Sequence, residues 1–142
     1  MSDCRLCGIS DVSICSVLSA PQRDELSRHG RIQTVRRGQA LLWEGEDALL
    51  VANVVEGVLK LSTATSDGRE KIVGVVYPAE FIGHPFRAGT SSCTVTALVD
   101  SRVCLFSRAA FDSYARAYPE LAQDLLRRTL DELDHARRWM LL

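Results

Sequence analysis

Three cysteines stand close together near the start of the chain, Cys4, Cys7 and Cys15, in the spacing C-x2-C-x7-C. Two more, Cys93 and Cys104, follow far downstream. Three thiolates on one short segment can wrap three corners of an inorganic cluster, and a fourth from a rigid strand would tie that segment to the folded body. Sets of four soft sulfur ligands suit an iron–sulfur cluster or zinc. Structural zinc usually draws on two short knuckles, and only one C-x2-C is present, so zinc is the weaker reading. A thiol-redox motif normally opens a helix after a strand, and no strand signal precedes Cys4. A buried single cysteine often acts as a small hydrophobe, which suits one of the downstream pair. Cys93 alternates with Val95 and Ala97, and Cys104 with Phe106, so alternation leaves open which of them would serve as the fourth ligand.

The body that must position these sulfurs is small. A chain of 142 residues with 46% hydrophobic and 25% charged residues suits one globular core. Its formal net charge of −1 gives no basic footprint for nucleic-acid phosphates, so alone it is expected to be a poor DNA binder. No run of about eighteen apolar residues offers a membrane span, and Met1-Ser2-Asp3-Cys4 lacks the features of a signal peptide. A cytoplasmic location follows as the expectation, and there thiols stay reduced, which favours metal binding over disulfides. His29, His84 and His135 are scattered and form no nucleophile, base and acid constellation, so an enzyme is not expected.

Three segments are legible. Residues 1–18 read as an irregular cysteine-rich lobe without a clear period. Residues 19–117 begin with a short helix at about Pro21 to His29 and continue, from Arg31 to Phe106, as β-rich runs such as Ala52 to Val55, Val58 to Ser62 and Lys71 to Val76. Turn signals at Arg37-Gly38, Glu44-Gly45-Glu46 and Ser66-Asp67-Gly68 punctuate them. In Val58 to Ser62, Leu59 and Leu61 share one face and Lys60 and Ser62 the other, the pattern of a half-buried strand. The fold class predicted is α+β, a small antiparallel β-roll or jelly roll with flanking helices. Ser107 caps a helix to about Ala117, and residues 118–142 form a long helix after Tyr118-Pro119, about 36 Å in length. On it Ala122, Leu126, Thr129, Leu133, Ala136 and Met140 recur in the four-three rhythm of a coiled-coil seam, which predicts a homodimer. The helix runs into Trp139-Met140-Leu141-Leu142 without a stop signal, so the natural protein is expected to continue.

The cysteine triplet, the glycine-punctuated roll and the long helix together resemble the sensor half of the Crp/Fnr superfamily of transcription regulators, in its oxygen-sensing FnrL or FnrN type. The residues carrying the likeness are Cys4, Cys7, Cys15, Arg37-Gly38-Gln39, Glu44-Gly45-Glu46, Glu56-Gly57, Asp67-Gly68-Arg69-Glu70, Glu80-Phe81-Ile82-Gly83 and Arg102-Val103-Cys104. The resemblance implies a [4Fe-4S] cluster on Cys4, Cys7, Cys15 and Cys104, with Cys93 structural. It implies a homodimer through Leu126, Thr129, Leu133, Ala136 and Met140, and a helix-turn-helix that meets DNA and RNA polymerase only in the full-length protein. Two positions depart from the family pattern: Ala79-Glu80 stands where many relatives have Gly-Asp, and Ala136 where the Fnr type often holds an acid. A cyclic-nucleotide module of the same fold is the alternative. It requires a carboxylate for the ribose and an arginine for the phosphate. Here the corresponding places hold Gly83-His84 and Ser91-Ser92, with Arg87 too early in the loop, so no cyclic nucleotide is expected.

Overall fold

The computed structural model describes residues 13–87 and 89–141. A 3₁₀ turn at Ile14–Val17 precedes helix α1 (Ala20–Ser27). Eight strands follow: β1 (Gly30–Val35), β2 (Ala40–Leu42), β3 (Leu50–Glu56), β4 (Leu59–Ala64), β5 (Glu70–Val76), β6 (Phe81–Ile82), β7 (Thr94–Ala97) and β8 (Ser101–Ser107). Helices α2 (Arg108–Ala117) and α3 (Pro119–Met140) close the chain. The strands form two antiparallel sheets, ordered β1-β8-β3-β6 and β2-β7-β4-β5. This is the predicted roll with its flanking helices.

Alternation along β3 and β8 creates two cores. Ala52, Val54, Val103 and Leu105 point between the sheets and meet Leu59, Val95 and Ala97 of the second sheet. Val51, Val55, Cys104 and Phe106 point the other way, and there the helices and the 3₁₀ turn cover them with Ile14, Leu26, Phe111, Leu121 and Leu125. A sheet buried on both faces reads as continuous apolar sequence rather than as alternation. That is why Val51 to Val55 and Val103 to Phe106 are almost uniformly apolar.

Helix boundaries follow their caps. Ser19 Oγ accepts from Gln22 N and Gln22 Oε1 accepts from Ser19 N, a capping box that starts α1 at Ala20. Ser107 caps α2 as predicted, through Ala110 N. Two expectations are corrected. The lobe read as irregular to Val17 is ordered at its described end: Cys15 N donates to Ser13 Oγ and Arg23 Nε of α1 donates to Cys15 O at 2.9 Å. On β4, Ser62 is buried rather than solvated, its hydroxyl bonded to the Glu70 carboxylate that also pairs with Lys60.

Glycine is required where β3 turns into β4. Gly57 has φ +97°, and a Cβ there would meet Ser101 Oγ at 2.1 Å. Before Phe81 the turn keeps a left-handed residue although its side chain is not glycine: Ala79 has φ 73°. The turn closes with Glu80 N donating to Tyr77 O at 3.0 Å, and Ala79 N donates to Val54 O at 2.8 Å, so β3 holds the alanine in place. At the base of α3, the buried carboxylate of Asp124 accepts from Arg127 Nη2 at 2.6 Å and Arg128 Nε at 2.7 Å. Burial pushes this carboxyl up, but the two guanidiniums outweigh it and hold Asp124 below the usual range.

Two predictions follow from these strains and pairs. Ala79→Gly relieves a left-handed conformation costing about 1–2 kcal/mol and adds unfolded-state entropy of about 0.4–1 kcal/mol, so urea denaturation should show a net gain of about 0.5–1 kcal/mol. Asp124→Asn should cost about 1–2 kcal/mol near neutrality, after allowing for the exposure of Arg127. Because the folded carboxyl titrates below its unfolded value near 3.9, that stabilisation is complete above about pH 4 and is lost as pH falls through the folded value. The gap between wild type and variant should therefore shrink below about pH 4, as measured by denaturation at stepped pH.

Candidate metal centre

Cys104 lies mid-strand on β8, where regular pairing with β3 places it directly opposite Asn53. Residues so paired hold their Cβ atoms about 4.5–5.5 Å apart on one face of the sheet. That face is the one covered by helices, and Cys104 is buried in it. Cys15 arrives on the same face from the 3₁₀ turn and is buried in the same cluster. The amide of Asn53 joins them: Asn53 Nδ2 donates to Cys15 Sγ at 3.9 Å. The structure thus brings two of the four nominated cysteines to one buried spot around one side chain.

Cys93 lies elsewhere. It packs against the cluster between the two sheets, and burial pushes its thiol above the usual range. Cys104, not Cys93, belongs to the same buried cluster as Cys15. Cys4 and Cys7 lie outside the described residues. Among the described residues no three Cys, His, Asp or Glu side chains converge as a metal set.

The donor chemistry at this spot fits a thiolate-bound cluster. Both sulfurs are shielded from solvent, and a buried amide offers its N–H to one of them. Asn53 Oδ1 has no hydrogen-bond partner, which leaves the amide committed on its donor side only. Sequence reasoning missed Asn53. The available signal was a lone amide inside the apolar run Leu49 to Val55, where a strand-averse polar residue needs a reason.

Helix α3 starts from the same cluster through Leu121 and Leu125 and touches the 3₁₀ turn that bears Cys15. Further along, residues 131–141 are all exposed among the described residues. Of the seam residues, Leu126 is 60% exposed, Leu133 42% and Met140 77%. Thr129 and Ala136 are exposed between them, the Thr129 hydroxyl donating to Leu125 O at 2.8 Å. An apolar stripe of this length on one helix face marks an interaction surface.

In the loop after β6, His84 Nε2 lies 3.3 Å from Ser92 Oγ, and the Ser91 hydroxyl donates to Cys93 O. Phe86 is also left-handed, φ 64°, its N–H held by the Asp112 carboxylate at 2.8 Å. A cleft of about 830 Å³ separates this loop from α3 and is lined by Phe81, His84, Phe86, Leu125, Leu126 and Glu132 among others. No helix among the described residues is long and apolar enough to cross a membrane.

Residues 32–118 match the family model described as the cyclic nucleotide-binding domain. The chain is 36% identical over 139 residues to the transcriptional activator protein FnrL of Cereibacter sphaeroides, covering 98% of this chain and 56% of that protein. It is 30% identical to the nitrogen fixation regulation protein FixK of Bradyrhizobium diazoefficiens, covering 98% of this chain and 58% of the relative. The chain therefore spans little more than half the length of these relatives. Among solved structures, the N-terminal domain of a transcriptional regulator from Streptomyces coelicolor superposes with TM-score 0.68 at 30% identity, over 91% of this chain and 92% of that one. With the two-sheet roll, its flanking helices and the matches agreeing, the chain belongs to the cyclic nucleotide-binding domain family and, within it, to the Crp/Fnr superfamily.

Proposed function

We propose that the chain is the oxygen-sensing and dimerising half of a transcription regulator, with Cys4, Cys7, Cys15 and Cys104 holding a [4Fe-4S] cluster. When bound, that group would supply the oxygen-labile chemistry. The observation that carries the reading is the position of Cys15: its turn lies between the strand bearing Cys104 and the base of α3. Whatever fixes or releases that turn alters the packing under Leu121 and Leu125, and so the orientation of the helix whose exposed stripe would pair with a second copy. Couplings of this kind are typically about 1–3 kcal/mol, enough to bias a weak dimer.

The seam is suited to a reversible equilibrium. Leu126, Leu133 and Met140 supply apolar area, while Thr129 and Ala136 add little. The charges beside them, such as Arg127 and Asp131 at 3.6 Å, are exposed and contribute well under about 1 kcal/mol. In the full-length protein, dimerisation would set the spacing of two DNA-binding units and their approach to RNA polymerase. A cyclic nucleotide finds neither a carboxylate nor a guanidinium in the residues facing it at Gly83-His84 and Ser91-Ser92.

Two sets of variants test the reading. Under anaerobic reconstitution with iron and sulfide, Cys104→Ser should lose retained iron while Cys93→Ser keeps it; equal loss, or the reverse order, contradicts the ligand assignment. Leu133→Glu should shift the chain toward monomer in analytical ultracentrifugation. An unchanged sedimentation profile would mean that the stripe does not pair.

A further inference from the structure

The geometry points to Asn53 as a positioning residue for the metal centre: its side-chain N–H holds and polarises the Cys15 sulfur, setting the reduction potential of the bound cluster. The inference rests on the proposed cluster and deepens it, because it names which part of the chain tunes the group rather than which parts hold it.

Three observations converge on this residue. Asn53 is 1% exposed, in a strand where every other interior position is aliphatic. Packing alone calls for valine or alanine there, and asparagine is disfavoured in strands. Among the described residues its carbonyl Oδ1 is buried with no partner, a state that carries an uncompensated desolvation cost. A residue kept for shape would not carry that cost. The amide makes one directional contact, Nδ2–H toward Cys15 Sγ at 3.9 Å, while Cys104 sits opposite on β8. Toward a neutral thiol this contact is weak. A sulfur carrying thiolate charge accepts a stronger and shorter bond, so the donor is used fully only when the sulfur is a ligand. Hydrogen bonds to cluster sulfurs are among the levers that set reduction potential.

The test is Asn53→Leu, with the same branching and heavy-atom count but no donor, alongside Asn53→Ser, whose hydroxyl is too short to reach the sulfur. Both are reconstituted anaerobically with ferrous iron and sulfide and compared with wild type for iron content, midpoint potential of one-electron reduction and resonance Raman bands of the iron–thiolate stretch. The expected result is iron content like wild type, a midpoint shifted to more negative values and displaced iron–thiolate bands in each variant that folds. Wild-type potential and bands in a folded, iron-loaded variant overturn the role of Asn53 and leave the cluster reading intact. Iron lost from both variants while wild type retains it makes Asn53 a structural requirement, and also overturns the tuning role. A wild-type chain that takes up no iron fells both readings together.

Discussion

Everything in this molecule that bears on sensing depends on how the outer face of the β1-β8-β3-β6 sheet is covered. Its inner face is satisfied by the second sheet. Its outer face, with Val51, Cys104 and Phe106, would stand in water without the helices and the turn at Ile14–Val17. Burial of one large aliphatic side chain is worth about 1.5–3 kcal/mol, so Ile14 and Leu18 together contribute about 3–6 kcal/mol to holding the turn on the sheet. The inter-sheet core, built from Val54, Leu59, Val95 and Val103, shares none of those contacts and can persist whichever way the outer cover moves.

That separation explains how one fold can serve as a sensor. Cys15 and Cys104 belong to the cover and to the sheet respectively, with Asn53 between them, and α3 rises from the same cluster through Leu121 and Leu125. A tie between the two sulfurs would fix the turn against the sheet, and the turn also touches the helix. The distance between stimulus and readout is then a single layer of side chains, with no relay across the roll. In the loop after β6, His84 lies against Ser92, and the Ser91 hydroxyl donates to the carbonyl of Cys93.

Much of this was legible in the residues. Pro21 and the Ser107 cap announced two helix starts because these are local signals, and the glycines at turns announced the roll. The four-three rhythm of α3 marked a stripe that the fold indeed leaves uncovered. Other features depended on contacts distant in sequence. Alternation alone could not tell Cys93 from Cys104, since β8 is apolar on both faces and Cys93 precedes β7, so only the packing of neighbouring elements assigns each to a cluster. Ser62 is tied to the neighbouring strand through a hydrogen bond to Glu70, the carboxylate that Lys60 also pairs. The ordering of the turn at Cys15 comes from Arg23 on α1, and its contact with Asn53 spans 38 residues. Ala79 keeps a glycine-like conformation because β3 bonds to its backbone, so the local preference was overridden by tertiary structure.

The most direct measurement is the iron and acid-labile sulfide content of the wild-type chain isolated without exposure to air. A cysteine-held sensor of the kind described should come out brown, with about four irons and four sulfides per chain, and should bleach on admission of oxygen. Colourless, iron-free protein from such a preparation would contradict the central claim and leave a roll whose stimulus is something else.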